Sequence, residues 1–338
     1  MITRATHLRA YTDLLQAIGA PVERELQRAR LPAMLANQPD AYIPVLPGLK
    51  FVKRMEHKEG LDDIAFLASQ QFSFDNLSDE FITLCQSVPS LYSRFQLFSN
   101  LVPLENSHAR VFLIREEKDF RVCFNLLGHP HMDGLHYSEW QHINGLAAVV
   151  QKTLGQRWRP AEITFQSKFV PCDAAFEKFP NTRFLFGQKN TSITVSASLM
   201  SRSLNDGQGK PEFHQGLVSA QSSQRPQQSL ALDYPESLKL LLRSYIQQSY
   251  PDVNLAAEIA STSVRTMQRR LGQYGLNYSS LVQQARFEVA TEMLADPSVK
   301  IIDIAHAIGY SDPSHFARSF RRISGVSPGE YRRQHFKN

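Results

Sequence analysis

Apolar positions along the last hundred residues recur with a helical period, and then the pattern recurs as a block. In "YPESLKLLLRSYIQQSY" Leu238, Leu241, Leu242 and Tyr245 fall on one helical face. The stretch "LAAEIASTSVRTMQRRL" follows, from Leu255 to Leu271. A shift of 49 residues carries Leu255 onto Ile304, Ala256 onto Ala305, Ile259 onto Ile308 and Ala260 onto Gly309. The same shift carries Ser263 onto Asp312, Met267 onto Phe316, Arg269 onto Arg318 and Leu271 onto Phe320, without a gap. Each copy reads as a short helix, a tight turn and a second helix. Ser263 is the predicted N-cap of the second helix in the first copy, and Asp312 in the second. Asp312 is followed by Pro313, a residue favoured at the first helical position. A long helix, roughly Tyr278 to Leu294, connects the copies, and "ADPS" stops it.

The N-terminal pattern is mixed. "HLRAYTDLLQAIG", "LPGLKFVKRMEHKEG" and "SDEFITLCQSVPSLYSRFQLFSNLV" read as helices. "ARVFLIREEKDFRVCFNLL" reads as two strands across a charged turn, and "SEWQHINGLAAVVQKTLG" as a helix. "AEITFQSKF", "RFLFG" and "TSITVSASL" are further strand candidates. This order predicts an α+β domain. Residues 205–232 are rich in Gln, Ser and Gly, have few large apolar residues and sustain no period, as expected of a linker. The expected organisation is therefore an α+β domain over 1–204, a linker over 205–232, and an all-α domain over 233–338 carrying the two repeats.

Composition narrows the function. The 338 residues are 42% hydrophobic and 20% charged, enough for two or three packed domains. A net charge of +5 permits nucleic-acid binding without demanding it. Cys85, Cys123 and Cys172 are far apart and odd in number, which suits a reducing cytosol better than a disulfide framework. No uninterrupted apolar run reads as a signal peptide or a membrane span, so a cytoplasmic protein is expected.

The repeat carries the clearest chemistry. Arg265, Gln268 and Arg269 fall opposite the stripe of Val264, Met267 and Leu271. Ser314, His315 and Arg318 fall away from Phe316, Phe320 and Ile323. Each helix is thus anchored by one face and shows hydrogen-bonding groups on the other. Arginine can bond bidentately to guanine and glutamine to adenine. Arg270, Arg321 and Arg322 remain for phosphate oxygens, which fix position without reading sequence. A bland solvated face would explain one such helix, but matched positions in two copies argue against it. The connector of about 17 helical residues spans roughly 25 Å. With its flanking turns it suits two helices one DNA turn apart, ~34 Å.

The segment from Gly309 to Arg332, "GYSDPSHFARSFRR" followed by Gly325 and "SPGEYR", resembles the signature of AraC/XylS-type transcription regulators. The resemblance implies a paired helix-turn-helix module over residues 235–337. It places Arg265, Gln268 and Arg269 at base-contacting positions of the first recognition helix, and Pro313, Ser314, His315 and Arg318 at those of the second. Pro313 departs from the hydrogen-bonding residues often found there, because it donates from neither side chain nor backbone. "RWRPAEITFQSKFVPCDAAFEKF" and "FLFGQKNTSITVSASLMSRSL" resemble the end of the arabinose-binding-like domain in regulators of the ornithine-utilisation class. That implies a sensor and dimerisation domain, with operator DNA, RNA polymerase and a second copy of the chain as partners.

Other sites are weaker. "GHPHMDGLH" holds His129, His131, Asp133 and His136, with His142 beyond, but lacks cysteine partners or a helical HExxH pair. A polar loop is the better account, so neither a metal nor a cofactor is expected. Dense aromatics, among them Phe66, Phe95, Phe98, Phe112, Phe120 and Phe124, supply core and the walls of an apolar pocket. Arg94 and Arg110 are candidates for a ligand carboxylate, although a surface role is the simpler reading of each. A small carboxylate is the expected ligand class. The alternative is a regulator controlled by abundance or a protein partner. GxSxG, GxxxxGK[ST] and GxGxxG are all absent. A DNA-repair enzyme with the same DNA-binding module would need four zinc-binding cysteines, and the chain has three.

Overall fold

The computed structural model describes residues 2–32, 38, 40–71, 82–84, 87–126, 134–202, 232–246 and 251–336. The chain forms two compact units. One comprises residues 10–20 and 52–231, the other residues 1–9, 21–51 and 232–338.

The first unit is α+β, as its pattern predicts. Its sheet has five strands: β3 (Ala109–Arg115), β4 (Asp119–Leu126), β5 (Glu162–Thr164), β6 (Arg183–Leu185) and β7 (Thr191–Ser196). Their order is β3-β4-β7-β5-β6. The β3–β4 hairpin is antiparallel, with Ala109 opposite Leu126 and Arg115 opposite Phe120. β5 and β6 pair in parallel, and "AEITFQSKF" contributes only Glu162–Thr164 to the sheet. Within this unit lie α4 (Ile64–Ser69), α5 (Leu91–Glu105), α6 (Leu135–Leu154) and α7 (Asp173–Lys178). Helix α1 (Thr6–Ala17) contributes residues 10–17 and α3 (Val45–Glu59) residues 52–59. The described part of the predicted 78–102 helix resolves into a new start at Leu91. Ser90, following Pro89, takes an extended backbone, and its hydroxyl accepts from Ser93 N at 3.1 Å. Trp140 on α6 is 1% exposed and meets Phe66 and Phe165 at ring distances of 5.1 and 5.0 Å. Phe66, Phe95, Phe98 and Phe124 are all core.

The second unit holds seven C-terminal helices among its described residues. They are α8 (Tyr234–Ile246), α9 (Val253–Ile259), α10 (Val264–Gly272), α11 (Tyr278–Leu294), α12 (Ile301–Ala307), α13 (Pro313–Ser324) and α14 (Pro328–His335). The sequence pattern places each of them. The same unit contains β1 (Ile2–Arg4), β2 (Tyr42–Pro44) and α2 (Val22–Arg28). β1 and β2 pair antiparallel, Arg4 opposite Tyr42. A single cut at 205–232 leaves residues 1–9 and 21–51 on the other side, whereas here they group with 232–338. Residues 203–231 lie outside the described residues. No described helix is long and apolar enough to cross a membrane.

Candidate nucleic-acid interface

Both halves of the repeat are seated by their apolar faces. On α10, Met267 and Leu271 are 0% exposed. On α13, the matching Phe316 and Phe320 are 2% exposed. Ile323, predicted on that buried stripe, is 41% exposed instead. It lies in the last turn of α13, where Gly325, at φ 81°, takes the chain out of the helix.

The caps are as the sequence predicts. The Ser263 hydroxyl accepts from Thr266 N at 3.2 Å, and the Asp312 carboxylate accepts from Ser314 N at 2.8 Å. The Ser314 bond is also the main cause holding the Asp312 carboxyl below the usual carboxylate range, with smaller contributions from His315 and Arg318. His315 Nε2 stands 3.7 Å from the Asp312 carboxylate.

The turns of the two copies differ by one residue. In the second copy Gly309 is left-handed, at φ 82°. In the first copy the left-handed residue is Ser261, at φ 52°, and the aligned Ala260 stays at φ −73°. The short helix of the first copy runs one residue further before its turn. The match is re-established at the caps.

The outward faces gather the predicted donors. Arg265, Gln268, Arg269 and Arg270 are exposed on α10, and Ser314, His315, Arg318, Arg321 and Arg322 on α13, with Pro313 half-buried at its start. Some of these cations have intramolecular partners. Arg270 lies over the Tyr234 ring at 5.2 Å, and Arg322 Nη2 donates to the Gln283 side chain of α11. Arg265 and Arg269 extend from the exposed face.

Helix α11 fixes the two copies to one frame. Its Asn277 cap and Ser280 bond each other reciprocally, and Leu281, Val282, Ala285, Val289, Ala290 and Leu294 are buried along it. Lys239 and Arg243 of α8 pair with Glu288 of α11 at 2.6 and 3.2 Å. From the last helix, Arg332 donates to Leu294 O at 3.1 Å, where α11 ends, and to Val299 O at 2.8 Å, just before α12 begins. The sequence reading gave Arg332 no role, because its partners lie more than thirty residues away.

Two exposed, arginine-bearing helices, each capped, each packed behind by a short helix, and joined by one 17-residue helix, form a double helix-turn-helix. Residues 256–334 match the family described as a helix-turn-helix domain. The chain carries a DNA-binding helix-turn-helix domain of the AraC type. It is 22% identical over 336 residues to the HTH-type transcriptional regulator VirS of Mycobacterium tuberculosis, covering 98% of this chain and 96% of that one. It is 31% identical over 104 residues to the ornithine utilization regulator of Pseudomonas aeruginosa, covering 30% of this chain and 31% of that one. Among solved structures, the transcriptional regulator CdpR of Pseudomonas aeruginosa aligns over 93% of this chain and 96% of that one, at 17% identity and a TM-score of 0.39.

In the α+β unit the predicted ligand candidates separate. His129, His131 and Asp133 lie outside the described residues. His136 stacks on Phe169 at 4.2 Å, and His142 on Phe124 at 3.5 Å. Arg94 is not on the surface: it is 3% exposed, with Nη1 donating to Thr153 Oγ1. Arg110 donates to the neighbouring Ala109 carbonyl at 2.8 Å. Burial pushes the Cys123 thiol up to about 11, which keeps it a thiol rather than a nucleophile at neutral pH. Sequence reasoning missed Glu139, a carboxylate 0% exposed on α6. Its Oε1 accepts from Gln166 N at 2.7 Å, from Ser167 N at 3.3 Å and from Thr191 Oγ1. Nothing local in "YSEWQH" marks it.

Proposed function

We propose that this regulator reads operator DNA with Arg265, Gln268 and Arg269 of α10 and with Pro313, Ser314, His315 and Arg318 of α13. Arg270, Arg321 and Arg322 hold phosphates. The observation that carries this reading is the exposure of equivalent donors on two helices whose opposite faces are buried. In this reading the second helix has the weaker base readout: Pro313 donates nothing, and Asp312 draws on His315 and Arg318. Arg269→Ala is expected to cost about 1–3 kcal/mol at the preferred operator and to relax one or two base positions. Arg322→Ala should weaken binding to all sequences alike and lower the salt slope by about one. Titrations of a selected operator and of scrambled DNA at several salt concentrations separate the two. Unchanged affinity and base preference in Arg269→Ala would remove α10 from the readout.

The α+β unit is, in this proposal, the sensor and the site of homodimer formation in the cytoplasm, with RNA polymerase the eventual target. Its ligand is a small carboxylate held in an apolar, aromatic setting. The support is the ring cluster of Phe66, Trp140, Phe165, Phe179 and Phe184 in that unit. A ligand changes activity only through unequal affinity for two states of the protein. A panel of aromatic acids, fatty acids and amino acids is expected to contain one that raises the melting temperature of the full chain and shifts its operator affinity. At a hundredfold excess over Kd the gain is about 2.7 kcal/mol. No response to any acid, with a response to zinc, would return attention to His129, His131 and His136. No response to either would favour control by abundance or a protein partner.

A further inference from the structure

The DNA-binding unit is not built from the C-terminal residues alone. Residues 1–9 and 21–51 belong to it, so the chain passes between the two units after Arg9, Ala20, Phe51 and Ala231. Ile2 and Tyr42, from β1 and β2, are 2% and 7% exposed in the same apolar core as Leu238, Leu241 and Tyr245 of α8. Polar bonds fix the register of that packing. Tyr42 N donates to Ser244 Oγ at 3.1 Å, and the Tyr245 hydroxyl donates to Arg30 O at 2.9 Å. Arg30 also pairs with Glu258. Glu258 lies on α9, the short helix against which α10 is set.

The charges along this seam are matched among themselves. A cleft of about 560 Å³ there is lined by Arg4, Asp40, Tyr42, Arg243 and Glu292 among others. Arg4 pairs with Asp40 at 2.6 Å and lies over the Tyr42 ring at 5.3 Å, while Arg243 pairs with Glu288 and Glu292. Arg4 thus ties the two N-terminal pieces together and Arg243 ties α8 to α11, while Tyr42, Tyr245 and Arg30 make the bonds that cross the seam.

We propose that residues 2–9, 21–32 and 40–45 act as a brace that positions the first helix-turn-helix for DNA, with Tyr42, Ser244, Tyr245 and the Arg30–Glu258 pair as its positioning residues. The brace reaches α8 and α9 through its bonds, so its effect is expected at the α10 half of the operator. It also gives the N-terminal part of the chain a route to the first recognition helix that bypasses residues 203–231. The proposal rests on α10 being a reading helix.

The test uses the full chain on an operator selected from random-sequence DNA, with footprinting of each half-site and hydrogen exchange of α8 and α9. Tyr42→Ala removes the buried ring, and roughly a tenfold or greater loss of occupancy is expected at the α10 half-site. The α13 half-site should stay protected, and exchange should rise in α8 and α9 but not in α12 and α13. Tyr245→Phe removes only the bond to Arg30 O and opens no cavity, so it serves if Tyr42→Ala does not fold. Its expected loss at the same half-site is about two- to tenfold. Equal loss at both half-sites, or unchanged occupancy and exchange in Tyr245→Phe, overturns the brace. Arg269→Ala in the same assay keeps the two readings apart. If that variant weakens the α10 half-site and the brace variants do not, α10 reads DNA without a brace; if Arg269→Ala is silent, the assignment of α10 is what fails.

Discussion

Phe316→Ala is expected to destabilise the second helix-turn-helix by about 3–5 kcal/mol, the usual cost of deleting a buried aromatic ring. Phe316 is 2% exposed and sits in a chain of rings. Its centroid is 5.7 Å from Tyr310 in the turn and 5.7 Å from Phe320, nearly edge-on at 69°. Phe320 in turn meets Phe287 of α11 at 4.8 Å and Tyr331 of α14 at 5.3 Å. The ladder joins α11, α13 and α14 through Phe320, and removing Phe316 leaves a cavity against Phe320 and Tyr310 behind α13. Phe316 itself carries no donor, so an effect of its removal on DNA binding reports the seating of α13. Denaturant unfolding followed by circular dichroism, with footprinting of the α13 half-site, checks both parts. A loss below about 1 kcal/mol, or an intact half-site in a clearly destabilised variant, would show that α13 is held by something other than this ladder. Phe316→Leu keeps most of the volume and should cost about 1.5 kcal/mol or less if repacking is possible.

The second large effect is expected at Glu139. Its carboxylate is fully buried and serves two backbone N–H groups of the loop after β5 and the hydroxyl of Thr191 on β7. The same loop is held by the His136–Phe169 stack and by Cys172 N donating to Asp63 Oδ2 at 3.0 Å. Glu139→Ala leaves three donors without their acceptor in a dry interior, at about 1–3 kcal/mol for each donor that finds no substitute. A total loss of about 3 kcal/mol or more is expected. Glu139→Gln retains an acceptor oxygen and should be much milder. Chemical unfolding of both variants decides the matter. Equal losses would mean that charge, not hydrogen-bond acceptance, is what the site requires, and near-zero loss in Glu139→Ala would show that the loop is anchored elsewhere.

The DNA-binding helices were legible because their determinants are local. A cap, a 3.6-residue apolar stripe and a stop signal lie within one turn of the residues they govern, and the 49-residue repeat doubled that signal. The α+β class was legible for a similar reason: the β3–β4 hairpin alternates across a short charged turn and pairs with its own neighbour in sequence. Arg94 was less legible. An arginine among apolar residues reads as a surface cation unless a distant partner is known, and Thr153 is 59 residues away.

What the sequence determined by itself is therefore the identity and polarity of each helix in the repeat, its caps and its outward donors, since backbone propensity and hydrophobic period are properties of contiguous residues. Tertiary structure decided the rest. β1 and β2 are three residues each, too short to show a period, and they are strands because each supplies the other's hydrogen bonds while Ile2 and Tyr42 find an apolar surface on α8. The parallel pairing of β5 with β6 likewise depends on the connection through α7. Ser261, rather than Ala260, is the left-handed residue of the first turn, a choice between two residues that both carry a Cβ and that local sequence does not separate. Long-range burial makes these decisions because each short segment gains too little by itself to offset the entropy of ordering it.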